Sequence, residues 1–294
     1  EISFSAPIDA VQAIPGNFVL LREGVPLTLR DNDPVSLGNN QYGLAPAGGW
    51  QVGSTYTVQV APGVTGPLGG GQTISRTFQT AVPAVVDQTP PAGASDIDIS
   101  AAQLRVGFDN MVDVAAVSAA NIQLLQEGKL VAIGDPLYDA SDFSLTFSPA
   151  SGILSAGTPY QVRLAASLGG PLQSEDYIWG FSSAIPALTG TIPAGSATGV
   201  STTTLEQVEI SFSAPIDAVQ AVAANFVLLR NGQPVVLRDN DPVSLGNNQY
   251  GLAPAGGWQV GSTYTVQIAP GVTGPLGVDQ PIVRTFQTAV PAVA

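Results

Sequence analysis

The chain has 294 residues, with 9 Lys and Arg against 22 Asp and Glu, a formal net charge of -13, no histidine and no cysteine. Those absences exclude disulfides, thiol catalysis, Ser-His-Asp triads and His-ligated zinc or iron. The acidic balance makes nucleic acid and anionic membrane poor partners. Only 11% of residues are charged, against about 25% in average proteins, so the wetted surface must be built from Ser, Thr, Asn, Gln, Gly and main chain.

The chain opens on Glu1-Ile2-Ser3-Phe4, which is neither a start Met nor a signal peptide. It is expected to be an excised or processed piece of something longer. Phe18–Arg22 and Pro26–Arg30 flank Glu23-Gly24 and are predicted to pair as a hairpin. At the matching place late in the chain stands Asn231-Gly232, the dipeptide best suited to a type I′ turn. After Gly53-Ser54-Thr55, the residues Tyr56, Val58 and Val60 alternate with Thr57 and Gln59, the pattern of a half-buried strand. No helical periodicity is sustained over a dozen positions, and no run of 18 apolar residues crosses a bilayer.

Self-comparison organises the rest. Residues 1–85 align without a gap on 209–293, and 12 of these 85 positions differ. The differences gather at 14–16, 23–28 and 70–75, which read as loops. A divergent copy lies between: Asn121-Ile122-Gln123-Leu124 answers Asn17-Phe18-Val19-Leu20, and Gly157-Thr158-Pro159-Tyr160 answers Gly53-Ser54-Thr55-Tyr56. Trp179-Gly180-Phe181-Ser182-Ser183 likewise answers Arg76-Thr77-Phe78-Gln79-Thr80. The order is A, B, A, with expected domains 1–82 (type A, lacking its first strand), 83–185 (type B) and 186–294 (type A). Strand-only units of this size must pack two sheets face to face, so each is predicted to be a β-sandwich. Pro83 to Gly93 and Pro186 to Gly195 are read as short, stiff linkers. In the third copy the stretch 191–208 should supply a lead-in loop and first strand that nothing ahead of Glu1 supplies. The edge beside Ile2 to Ser5 is therefore expected to be incomplete, or covered by a neighbouring chain.

Four features carry a resemblance. They are the lead-in Thr89-Pro90-Pro91-Ala92-Gly93, the run Ile2-Ser3-Phe4-Ser5-Ala6-Pro7-Ile8-Asp9, the Gly-Ser/Thr-X-Tyr step, and the closing Phe78, Phe181 or Phe286 followed by a hydroxyl residue two positions on. The run recurs at 210–217 and, more loosely, at 106–113. In these features the chain resembles the bacterial immunoglobulin-like (Big) domains found in tandem on surface proteins, adhesins and S-layer proteins. The resemblance implies an all-β, extended array of immunoglobulin-like sandwiches serving as a spacer or adhesive module. It implies no particular ligand. Copy B departs from the pattern at Pro7, where it has Met111, and lacks the Asp31-Asn32-Asp33-Pro34 run.

The chemistry-bearing residues are few. Asp31, Asp33, Asp239 and Asp241 set carboxylates at alternate positions and are the calcium candidates. The alternative is a polar turn bonded to its own backbone. No cofactor is expected other than that calcium. Gly66 to Gly71 lacks the Lys and the helix of a phosphate loop. The six Glu gather no pair suited to glycoside hydrolysis. Trp50, Trp258 and Trp179 with Tyr42, Tyr250 and Tyr177 are weighed as a sugar platform against service in the core, and Tyr56, Tyr160 and Tyr264 are read as tyrosine corners. Lys129 is the only lysine, so an intramolecular Lys-Asn crosslink cannot form in either A copy. The expected role is a non-enzymatic, extracellular structural repeat of a bacterial surface protein or filament. The alternative is an adhesin module that binds a glycan or protein through its loops. The expected partners are further copies of the repeat, in cis or by strand donation in trans.

Overall fold

The computed structural model describes residues 1–31, 34–66, 71–100 and 103–291. Among them there are strands and short 3-10 turns, and no helix long and apolar enough to cross a membrane. The first unit holds β1 (Ile2–Ser3), β2 (Phe18–Arg22), β3 (Val25–Pro26), β4 (Val35–Gly38), β5 (Gln41–Gly43), β6 (Thr55–Val60) and β7 (Ile74–Gln79). The second holds β8 (Val85–Thr89), β9 (Leu104–Phe108), β10 (Ile122–Gln126), β11 (Lys129–Val131), β12 (Leu137–Asp139), β13 (Ser144–Phe147), β14 (Pro159–Leu164) and β15 (Tyr177–Ser182). The third holds β16 (Leu188–Ile192), β17 (Val208–Phe212), β18 (Phe226–Arg230), β19 (Gln233–Pro234), β20 (Val243–Gly246), β21 (Gln249–Leu252), β22 (Thr263–Ile268) and β23 (Ile282–Gln287). The chain is all-β, a tandem array of immunoglobulin-like sandwiches.

Each unit pairs two antiparallel sheets. In the second they are β12-β13-β9-β8 and β11-β10-β14-β15, and in the third β16-β17-β21-β20 and β19-β18-β22-β23. The first has β3-β2-β6-β7 but only the three-stranded β1-β5-β4. The expected hairpins form because Glu23-Gly24, Glu127-Gly128 and Asn231-Gly232 all take positive φ, the geometry whose twist suits the flanking strands. Their return strands are shorter than the predicted 26–30: β3 stops at Pro26, whose ring carries no N–H for the ladder.

The cores follow from alternation. Along β22, Tyr264, Val266 and Ile268 are buried while Thr263, Thr265 and Gln267 face outward. With Val208, Ile210, Phe212, Phe226 and Phe286 they form one continuous cluster. Each such side chain removed from water contributes about 1.5–3 kcal/mol. The second unit has an equally continuous core around Val106, Leu124, Val162 and Trp179. The first unit's core is broken into two small clusters, one around Phe18, Val60 and Val64 and the other around Leu20, Leu29 and Tyr56.

The stretches read as linkers are not free connectors. Thr80 to Ala84 and Ser183 to Ala187 lead directly into β8 and β16, which are sheet strands paired with β9 and β17. After a cis Thr89–Pro90 or Ile192–Pro193 bond, each connector crosses to the opposite sheet and pairs in parallel with its last strand, at Ile97↔Ser183 and Val200↔Thr288. Proline restricts φ in a way that suits extended backbone, and here the sheet uses that backbone as well. The first strand of the third unit therefore starts at Leu188, ahead of the 191–208 stretch to which the sequence assigns it.

Candidate functional site

The most regular polar feature of the molecule is the loop ahead of β6, β14 and β22. The Tyr56, Tyr160 and Tyr264 hydroxyls each accept a backbone N–H five residues upstream, from Gln51 (2.8 Å), Ser155 (2.6 Å) and Gln259 (2.9 Å). The hydroxyl two residues after the closing phenylalanine completes the lock. Thr80 accepts from the Ser54 N–H and donates to the Gln51 carbonyl, Ser183 does the same between Thr158 and Ser155, and Thr288 between Ser262 and Gln259. Ser54, Thr158 and Ser262 turn back on the carbonyls of Val52, Ala156 and Val260. Three hydroxyl-bearing positions thus satisfy a loop that would otherwise bury unpaired main chain. The two sequence signatures, Gly-Ser/Thr-X-Tyr and Phe-X-Thr/Ser, are two halves of one structural knot.

What the knot holds out is a glycine with φ near +55°: +53° at Gly53 and Gly157, and +62° at Gly261. Gly53 and Gly157 meet the next sandwich. The Gly53 carbonyl accepts from Leu172 N at 2.7 Å, and the Gly157 carbonyl accepts from Leu276 N at 2.8 Å. Facing them are Gly170 and Gly274, at φ +79° and +78°, each in a Gly-Pro-Leu step. A β-carbon on Gly53 would collide with the Gly169 carbonyl, and one on Gly170 with the Val52 carbonyl. The second joint repeats this with Thr273 and Ala156. It adds one bond, from Ala156 N to the Asp217 carboxylate at 2.8 Å, and burial pushes the Asp217 carboxyl above its usual range. At the first joint the aligned Asp113 accepts from Ala115 on its own 3-10 turn.

The second feature is a slot in the first sandwich. Its apolar walls come from Ile2, Phe4, Leu20, Leu44, Trp50 and Phe78, around a cavity of about 700 Å³. Phe78 is 42% exposed whereas the identically placed Phe286 is 3% exposed. In the third sandwich this space is occupied by the connector: Leu188, Ala197, Val200 and Leu205 pack on the core, and the Trp258 indole N–H donates to the Glu206 carbonyl at 3.4 Å.

Of the calcium candidates, Asp31 pairs with Arg30 at 3.3 Å, while Asp33 lies outside the described residues. Asp239 pairs with Arg238 at 3.1 Å, whereas Asp241 accepts from Ala223 N at 2.8 Å. The two third-copy carboxylates are thus directed to different partners. Among the described residues no three acidic groups converge on one point. Pro67 to Gly70 of the glycine-rich loop also lie outside the described residues. Glu23 and Asn231 brace their turns by accepting from Thr55 and Thr263.

Of the aromatic residues weighed as a sugar platform, Tyr177 and Trp179 meet, tilted with centroids 5.8 Å apart, and the others lie in the first and third sandwiches. Trp179 is buried with its indole N–H on the Pro90 carbonyl. Trp50 and Trp258 lie edge-on to Tyr56 and Tyr264 at 4.8 Å. Tyr42 and Tyr250 belong to the other sheet, against Phe18 and Phe226. The joint was not foreseen from sequence. Its signal was present, since Gly-Pro-Leu recurs at 66–68, 170–172 and 274–276 and a glycine precedes every Ser/Thr-X-Tyr step.

A family model described as "Bacterial Ig-like domain" matches residues 79–183 and 182–288. Both matched stretches begin ahead of a connector, at the end of the preceding sandwich. No curated protein matches in sequence. Solved structures similar in part include CopC from Methylosinus trichosporium OB3b, at 22% identity over 35% of this chain and 94% of that one (TM-score 0.28). The N-terminal part of the bacterial S-layer protein SbsC is similar at 14% identity over 70% of this chain and 44% of that one (TM-score 0.27). The LD transpeptidase LdtMt1 is similar at 17% identity over 69% and 73% (TM-score 0.26).

Proposed function

This chain belongs to the family of bacterial Ig-like domains, and from that premise we propose that it is a non-enzymatic, extracellular structural repeat that spaces or builds part of a bacterial surface layer or filament. The observation that carries the reading is the glycine joint. The same pair of loops meets in the same way between the first and second sandwiches and between the second and third, although copy B differs widely in sequence from copy A. The shared contact at both junctions is main chain packed on main chain, which does not depend on the side chains that differ between copies and so suits a repeated junction. A binding module needs variable loops, whereas a spacer needs a constant advance. Residues 29–59, which carry the joint glycine Gly53, recur unchanged at 237–267, while the differences between the A copies fall mainly at 14–16, 23–28 and 70–75, away from that glycine. Neither a metal nor an organic cofactor enters this reading.

Chains carrying one, two and three A-B units test it by electron microscopy. Particle length is expected to rise by a fixed increment of about 70–90 Å per unit. Irregular or collapsed particles, together with saturable binding of one A sandwich on a glycan array, would transfer the role to adhesion.

A further inference from the structure

We propose that the outer edge of β20, with its twin β4, is the surface through which two copies of this chain join side by side, by antiparallel pairing of Val243–Gly246 with the same strand of the second copy. The inference deepens the structural-repeat reading by naming a lateral partner, and it rests on that reading only for its use. The contact itself stands on the geometry and charge of the edge.

β4 and β20 end their sheets, in the orders β1-β5-β4 and β16-β17-β21-β20. Two sandwiches follow β4 and two precede β20, and among the described residues neither strand pairs with anything beyond β5 or β21. Taken together, the two A copies show this edge uncovered by neighbouring sandwiches on either side. The second sandwich, which has a neighbour at each end, leaves the corresponding β12 open in the same way.

The apolar side chains on the A edge face water. Ser36 lies opposite Tyr42 and Ser244 opposite Tyr250, and those tyrosines pack inward on Phe18 and Phe226. Successive side chains alternate between faces, so the serines take the core side and their neighbours the outside. Leu37 lies over the outer face of the sheet, its methyls 3.5 Å from where a β-carbon on Gly43 would stand. Val35 and Leu37 are 42% and 52% exposed, and Val243 and Leu245 are both 38% exposed. A register shift between Ser244 and Gly246 leaves Leu245 with no residue opposite it on β21.

Edges elsewhere in the molecule carry the residues that keep strands from pairing between chains. β3 and β19 end in Pro26 and Pro234, β11 starts at Lys129, and β8 carries Asp87. β12 contains Asp139 and stands between Asp135 and Asp142. By contrast, residues 34–75 and 242–278 hold no charged side chain, and Asp241, just ahead of β20, is turned to Ala223 N. That neutrality selects the occupant. A chain of net charge -13 repels its own copies over most of its surface, and the A edge is where a copy can approach without opposing charge. The strand is also complementary to itself. A two-fold axis through Ser244 sets Val243 of one chain opposite Leu245 of the other, and the reverse, so each copy covers what the other exposes.

The test is sedimentation velocity of the 294-residue chain over a concentration series, with amide exchange read at both ends of the series. The average mass is expected to rise with concentration, and exchange over 35–38 and 243–246 to slow at least about threefold. A chain with Leu37→Asp and Leu245→Asp should stay monomeric, because like charges then face each other at every paired edge. A chain with Leu37→Lys and Leu245→Lys should do the same, and an equal mixture of the two should associate again, which also shows that both variants are folded. Leu137→Asp, on the open edge of the second sandwich at a position 69% exposed, should associate as the native chain does. The proposal is overturned if the native chain stays monomeric up to its solubility limit, or if the Asp variant associates as well as the native chain. It is equally overturned if the mixture fails to associate, or if Leu137→Asp abolishes association. Particle length along the array, measured on the monomeric Asp variant, tests the spacer reading separately, so that either can fail without the other.

Discussion

Gly157 and Gly274 touch main chain to main chain: a β-carbon on Gly274 would stand 2.9 Å from the Cα of Gly157, and one on Gly157 would stand 3.3 Å from the Cα of Gly274. Each residue is glycine for two reasons, the neighbour's proximity and a positive φ. Gly261 separates them. It has a similar positive φ (+62° against +53°) and the same local sequence as Gly53, yet a β-carbon there would meet only the Val290 side chain, at 3.7 Å. Gly261→Ala should therefore cost only the left-handed strain, about 1–2 kcal/mol. Gly53→Ala and Gly157→Ala should in addition force their joints apart. Spin labels on adjacent sandwiches would report this as a broadened distance distribution for the two joint variants and an unchanged one for Gly261→Ala. Equal loosening by all three would remove the role assigned to the joint.

The two A sandwiches offer a second internal comparison. Phe78 and Phe286 stack on Tyr56 and Tyr264 with the same 5.6 Å centroid separation, but only Phe286 is sealed from water. Phe286→Ala should cost about 3–5 kcal/mol and Phe78→Ala distinctly less, because an exposed ring leaves no closed cavity when removed. Denaturant titration of each single variant, with exchange measured separately in the two sandwiches, checks the difference. Equal losses would mean that the slot is closed in solution.

Much of this was legible in the sequence, for identifiable reasons. Alternation such as Tyr56, Val58, Val60 and the paired positive-φ turn at Asn231-Gly232 are local, so strands and hairpins could be read directly. The tyrosine corners were legible because their partners lie five residues away. The joint was missed because its partners, Gly53 and Gly170, are distant in sequence and carry no side chain whose chemistry announces a contact. The misreading of Pro83 to Gly93 and Pro186 to Gly195 as linkers has a related cause, since proline signals extended backbone equally in a linker and in a strand that uses only part of its ladder.

Calcium removal provides a further check. Asp239 and Asp241 are directed to Arg238 and Ala223 N, and each already has a protein partner. A chelator should leave the melting temperature of the chain unchanged, and Asp241→Ala should lower it modestly through loss of the bond to Ala223 N, by about 0.5–1.5 kcal/mol. A large fall with chelator that Asp239→Ala abolishes would establish a metal site.

The second joint also carries a pH signature, opposite in sign to that of four other carboxylates of the chain. Asp98, Asp139, Asp142 and Asp176 are held below the usual carboxylate range by hydrogen bonds, from Ser100, Ser141, Ser144 and the Ala166 N–H respectively. Arg163 also lowers Asp176. Unfolding makes these four bind protons more readily, so their contribution is present above the unfolded pKa and is lost as pH falls through the folded one. Asp217 behaves in the reverse sense. Burial raises its carboxyl, and the Ala156 N–H offsets that only in part. The folded joint therefore takes up a proton more readily than the unfolded chain, and the stability this group contributes at low pH is lost as pH rises through its folded value. The surrounding groups are Gln126, Ser155, Thr158, Gln220 and Asp279, with Tyr160 also sensing its charge, and none is cationic. Asp217→Asn keeps an acceptor for Ala156 N and removes the charge. The variant should melt higher than the native chain at about pH 7, and its advantage should shrink as pH approaches about 3. A constant offset across that range for Asp217→Asn would mean that the carboxylate at the second joint remains solvated.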